Sequence, residues 1–223
     1  MNHRQCSGTI GYFHRRTGET GREHFTITHH RDGSRVLRAL CEMDDDQVLR
    51  DVTYAIGEDG RPHDAFVRLT VADHFVGSTW FTFEPESVAC EALTAAQGRF
   101  TQKLSFPGGA PCFGTHSLIT DGWHGALWRV EGPEEQCFRS PVCSQAANGA
   151  TGPMLSIIEF SLQRIGTESV HVPAGEFECS HFLINFGAYP PMHFWISGDD
   201  HQVVRIEWDY LDAYYELMSY RLA

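Results

Sequence analysis

Lysine is almost missing from this chain of 223 residues. Lys103 is the only one, against 16 arginines and 29 Asp+Glu, and the formal net charge is −12. An acidic chain repels phosphates, and no basic patch offsets that repulsion. The densest basic run, Arg31, Arg35 and Arg38, is diluted by Asp32 and followed by Asp44, Asp45 and Asp46. Nucleic acid is therefore not an expected partner. No apolar run approaches the length of about 18 residues that a membrane-spanning helix requires. Met1 to Cys6 lead into strand-like sequence without the apolar stretch of a signal peptide, so a cytoplasmic location is the expectation. Nucleophile elbow, P-loop, dinucleotide-binding glycine fingerprint and H-E-x-x-H are all absent, and no cofactor is expected. The seven cysteines (6, 41, 90, 112, 137, 143, 179) contain no C-x2-C pair. Their odd number and irregular spacing suit free thiols, most of them buried as small hydrophobes.

What is present is apolar and alternating. Hydrophobic residues make up 42% and aromatic residues 12% of the chain, enough for a substantial core and too many for disorder. Apolar residues recur at every second position in short runs separated by turn chemistry such as Asp32-Gly33 and Gly57-Glu58-Asp59-Gly60. About eight antiparallel strands are expected over roughly residues 8–105, with Tyr12-Phe13 opening the first. The pattern breaks over about 106–153. There, Leu118, Ile119, Trp123, Ala126, Leu127 and Val130 follow helical spacing within Thr115–Val130, although Gly122 and Gly125 weaken that helix. Glu131–Pro153 reads as a long loop, of the kind that is usually functional or disordered. Strands resume over about 154–220, including Leu155–Ile165, Ser169–Val172 and Glu176–Phe186. The expectation is one all-β domain spanning 1–223. Its large antiparallel sheet must curve into a half-barrel, with one principal helix on the concave face. A single helix leaves part of that concavity open for a ligand.

The C-terminal third carries Val172-Pro173-Ala174-Gly175-Glu176-Phe177, then Phe194-Trp195, then Val203-Val204-Arg205-Ile206, and ends in Tyr215-Glu216-Leu217. This resembles an uncharacterised bacterial domain-of-unknown-function family with a V-P-A-G-x-F signature. That family in turn is similar to the half-open β-barrels of lipoprotein carriers. The resemblance covers 155–220, and implies the fold and a habit of binding hydrophobic ligands; it implies no catalytic residue. Relatives are typically exported, from which this chain's opening residues depart. The Pro and Gly of the signature set a turn, since one fixes φ and the other permits positive φ.

The richest polar cluster is Cys112 to His124. Asp121 and His124 are three residues apart and share a helical face, so they could act as acid–base pair or orienter, with His116 nearby. The competing reading is a helix capped by Thr115 or Ser117, with a polar outer face. Cys112 and His116 with Cys137 and Cys143 are too loosely spaced for structural zinc, and no metal is expected. A Cys137–Cys143 disulfide is disfavoured by a reducing compartment. For a ligand, the aromatic set Trp80, Trp123, Trp195, Trp208, Tyr210 and Tyr214, together with His193, offers apolar faces with polar tips; core packing is the alternative for most of them. The insertion 112–150 is expected to wall any site, through His116, Asp121, His124, Glu134, Glu135 and Arg139. The expected function is binding of a hydrophobic small molecule, lipid-like or aromatic. The alternatives are a cofactor-independent lyase or isomerase using His/Asp chemistry, and an interaction module without a ligand.

Overall fold

A computed structural model describes residues 3–187 and 189–223. Eight strands come first: β1 (Arg4–His14), β2 (Gly18–His29), β3 (Arg35–Met43), β4 (Val48–Ile56), β5 (Pro62–Val71), β6 (His74–Glu84), β7 (Ser87–Thr94) and β8 (Gly98–Ser105). After an insertion follow β9 (Glu135–Val142), β10 (Ser156–Val172), β11 (Gly175–Asn185), β12 (Met192–Ser197), β13 (Gln202–Trp208) and β14 (Ala213–Leu222). All fourteen form one antiparallel sheet in the order β8 to β1, then β14 to β9. Every neighbour but one is a hairpin partner. The exception is β1 against β14, which brings both chain ends to the middle and leaves β8 and β9 as edges.

The sheet is strongly curved, as the insertion's contacts require. Trp123 packs on Tyr54 of β4, with ring centroids 5.4 Å apart, while the adjacent Gly122 abuts Val203 of β13. Five strand spacings separate β4 from β13, about 24 Å in a flat sheet. Only a sheet curled around the insertion lets two consecutive residues touch both. The fold is thus an all-β half-barrel with a short helix on its concave side, and one hydrophobic core runs across both halves.

Four elements differ from the sequence expectation. β1 begins at Arg4, because Gly8 and Gly11 interrupt its apolar alternation: a Cβ on Gly8 would lie 2.3 Å from the Ser219 carbonyl oxygen and 2.7 Å from the Phe25 ring. β10 is one strand through Gly166-Thr167, which pair with His181 and Ser180 of β11; a register shift between Arg164 and Gly166 stands in place of the expected turn. The segment read as a loop contains β9. Its Pro141 is tolerated at a sheet edge, where no neighbouring strand needs its missing N–H. Finally, the expected long helix is one α turn, α1 (Leu118–Asp121), continued by a 3-10 segment, Gly122–Leu127. Gly122 and Gly125 are there for close approach. A Cβ on Gly122 would lie 2.3 Å from the His201 carbonyl oxygen, and one on Gly125 3.0 Å from Ile196. The packing that needs these glycines also costs the helix its length.

Candidate functional site

Two charged residues sit on the apolar phase of their strands and fix the insertion against the sheet. In β2, Glu23 alternates with Gly21, Phe25 and Ile27 and is fully buried. Its carboxylate accepts from the Tyr12 hydroxyl (3.0 Å), the Ser117 hydroxyl (2.8 Å), the Cys41 thiol (3.5 Å) and the backbone N–H groups of Leu118 (2.7 Å) and Ile119 (3.1 Å). Ser117, at the N-cap position, makes no capping bond of its own. The cap comes from a strand almost a hundred residues earlier. Burial pushes Glu23 up, and the donors pull it down. Burial outweighs the five donors, so Glu23 lies above the ordinary carboxylate value.

In β4, Arg50 alternates with Val48, Val52 and Tyr54 and is likewise buried. It donates to the carbonyl oxygens of His116 (2.8 Å) and Asn148 (2.7 Å), clipping both ends of the insertion. Gly149 follows with φ +64°, and a Cβ there would lie 2.4 Å from the guanidinium. His116 itself holds φ +58°, a left-handed conformation unusual for a non-glycine residue.

Behind these clips lies a cavity of about 540 Å³, within the range of small-molecule sites. The C-terminal half supplies apolar walls, including Phe160, Ile184, Met192, Phe194 and Trp208. The insertion supplies the polar wall: His116, Asp121, His124, Ser140, Ser144 and Asn148. Asp45, Asp46 and Glu159 also border the space.

The titratable groups of this wall are all shifted toward neutrality. Burial raises Asp121 to about 8, with Glu23 adding to the rise and Arg50 opposing it. Burial lowers His116 to about 4, assisted by Arg50, and lowers His124 to about 4 as well. At neutral pH the wall presents a carboxylic acid and two uncharged imidazoles. His116 Nε2 lies 3.0 Å from the Ser144 carbonyl oxygen and His124 Nδ1 lies 2.9 Å from that of Asp121; a carbonyl only accepts, so these nitrogens carry the protons. His124 thus has its Nε2 lone pair free. The Asp121 carboxyl approaches His124 Nδ1 only to 3.9 Å, outside hydrogen-bond range.

The aromatic set is dispersed. Trp208 lines the cavity, and Tyr210 packs beside it at 5.3 Å, half exposed. The others lie elsewhere, because strand alternation decides which way a residue faces. His193 and Trp195 occupy the outward phase of β12, where both meet His181 of β11 and where Trp195 donates to Glu168 at 2.8 Å. Tyr214 stacks on Phe13 at 5.0 Å, on the face opposite the inward Ala213 and Tyr215 phase. Trp80 is 48% exposed on β6. Trp123 is buried against Tyr54 as core. Of the insertion's other polar groups, Glu135 accepts from Ser161, and Arg139 lies over the Phe106 ring at 5.3 Å. Neither these nor Glu134 borders the cavity. Cys112 and Cys143 are buried, Cys137 is exposed, and all seven cysteines are free.

Glu23, Arg50 and, apart from Trp208, the apolar wall were passed over in the sequence analysis. For the two charges a signal existed, since a charge on the apolar phase of a strand must find a partner when buried.

No family model and no curated protein matches the sequence. The fold does have solved counterparts. A beta-barrel-like protein of domain of unknown function DUF1849 from Brucella abortus superposes with a TM-score of 0.54 over 99% of this chain and 97% of that one, at 12% identity. A protein described as exported, with a YmcC-like fold, from Bacteroides fragilis covers 98% and 95% at 10% identity, but its TM-score of 0.34 is too low to speak to topology. This chain therefore shares a β-barrel-like architecture with the Brucella abortus protein, and the likeness extends to fold alone.

Proposed function

We propose that the protein binds a hydrophobic small molecule in the cavity between its insertion and the C-terminal half of its sheet. The observation that carries this reading is the lining: one aromatic and aliphatic wall faces one wall of hydrogen-bonding groups. Apolar surface supplies affinity, and a few convergent polar groups fix orientation. Native mass spectrometry of protein purified from its own host tests the reading, with titration by the neutral dye Nile red alongside. A bound apolar species, and dye binding weakened by Trp208→Ala, are the expected results. An empty protein that also fails to bind dye removes the reading.

A second reading, acid–base chemistry without a cofactor, has one specific observation in its favour. Asp121 and His124 are shifted in opposite directions, so that a proton donor and a proton acceptor coexist in one wall at neutral pH. It requires that a bound ligand exchange hydrogen with solvent deuterium in wild type and fail to do so in Asp121→Asn.

A further inference from the structure

Arg50 is a buried cation that no carboxylate of the described residues meets. It is 1% exposed, and among those residues it is the one arginine or lysine bordering the cavity. Arg15, Arg22 and Arg205, which keep more water around them, each pair with an Asp or Glu, at 2.9, 2.8 and 2.7 Å. Arg50 instead donates to the carbonyl oxygens of His116 and Asn148, which take two of its five N–H groups. A carbonyl solvates a guanidinium without cancelling its charge, and the remaining N–H groups have no acceptor among the described residues.

The carboxyl groups nearby do not fill that gap. Glu23 accepts from five other donors, and the Asp121 carboxyl has only His124 Nδ1 within 3.9 Å as a basic neighbour. Asp45, Asp46 and Glu159 border the cavity from exposed positions, where water and salt screen them. A charge held in a dry interior gains most from a partner of opposite sign, and leaving it without one is costly. The apolar wall, with Phe160, Ile184, Met192, Phe194 and Trp208, suits a hydrocarbon chain in the same cavity.

We infer that the cavity takes an amphiphile with one negative charge, a long-chain carboxylate, whose head pairs with the Arg50 guanidinium while its chain lies on the apolar wall. This rests on the cavity reading above and names its ligand class. The guanidinium fork matches a carboxylate in shape, and charge-assisted bonds of this kind are about twice as strong as neutral ones. An uncharged head would leave the Arg50 charge without a counterion, and an ammonium head would place a second cation beside it. Because the same guanidinium holds the carbonyls of His116 and Asn148, the ligand would also firm the attachment of the insertion.

The test is displacement of Nile red by compounds sharing one alkyl chain and differing in head: carboxylate, primary amide, alcohol and ammonium. At pH 7 the carboxylate should compete at least about tenfold better than the amide or the alcohol, and the ammonium should be the weakest. Arg50→Met should bring the carboxylate level with the amide and leave dye binding in place. Arg50→Lys, which keeps the charge and loses the fork, should retain part of the preference. Arg50 also fastens the insertion, so circular dichroism checks the folding of both variants; if neither folds, the wild-type series decides. A wild type in which the amide or the ammonium competes as well as the carboxylate overturns the head-group inference while the cavity reading stands. A folded Arg50→Met that keeps the tenfold preference does the same. If neither the dye nor any chain binds, the cavity reading falls and takes this inference with it.

Discussion

The two halves of the sheet present similar alternating inner faces, and those faces end up with different contents. Over β4 and β6 the concave side is filled by the chain itself. Phe113 packs on Tyr54, Phe81 and Phe83 at 6.0, 4.8 and 5.1 Å, and Trp123 adds to the same cluster. Over β10 to β14 the insertion covers only part of the face. Gly122 and Gly125 press on Val203 and Ile196, while Ile184, Met192 and Trp208 are left bordering open space. A core face and a ligand face can thus have the same composition. What separates them is whether a covering side chain arrives, and one insertion of limited length cannot cover both.

Several measurements would break or sharpen this contrast. The largest effect is expected where the insertion is fastened. Glu23→Ala leaves the Ser117 hydroxyl and two helix N–H groups without their acceptor, and should cost about 3–5 kcal/mol in urea unfolding. A loss below about 1 kcal/mol would mean that water enters and that the clip is dispensable. Next, Phe113→Ala should cost about 3–4 kcal/mol while sparing dye binding. Trp208→Ala should cost less stability, because one side of that ring already faces space, and should reduce dye binding. Equal losses of stability with binding intact in both would erase the distinction between the halves.

A pH experiment probes the polar wall. Asp121 has its folded pKa raised to about 8, so its contribution to stability is fully present in acid and is lost as pH climbs from about 4 to about 8. His116 and His124 are depressed to about 4, so theirs is present above the ordinary value of 6.5 and is lost as pH falls toward 4. Each group contributes a slope of at most about 1.4 kcal/mol per pH unit. Two opposing slopes outweigh one on the acid side, so these groups alone place maximum stability near pH 6.5. Asp121→Asn should remove their alkaline decline and steepen the acid one. Unchanged curves in urea titrations at several pH values would show that the wall is open to bulk water. The smallest effect belongs to Trp80→Ala, on the exposed outer face: within about 0.5 kcal/mol and without change in dye binding.

How much of this was legible in the sequence differs by level. The strands of the first half were, because period-2 alternation between turns is a local signal that Val48–Ile56 or Ser87–Thr94 carries on its own. Pro141 hid β9, and Gly166 hid the continuity of β10, because edge position and bulging depend on the neighbour and not on the segment itself. The wall residues Asp121 and His124 could be singled out by their spacing. The aromatic candidates could not be sorted into faces without register, and six of the seven ligand candidates lie away from the cavity lining.

By itself, then, the sequence determined an all-β chain, a sheet too large to stay flat, and a single polar insertion placed between two sets of strands. All of these follow from composition and short-range periodicity. Only the tertiary structure decided that Glu23 caps a helix almost a hundred residues away, that Arg50 donates to two carbonyls of the insertion, and that a space remains between Trp208 and Asp121. Those outcomes depend on how far β2, β4 and β13 curl around one short segment. No local pattern encodes that distance, because it is the sum of the twist of all fourteen strands.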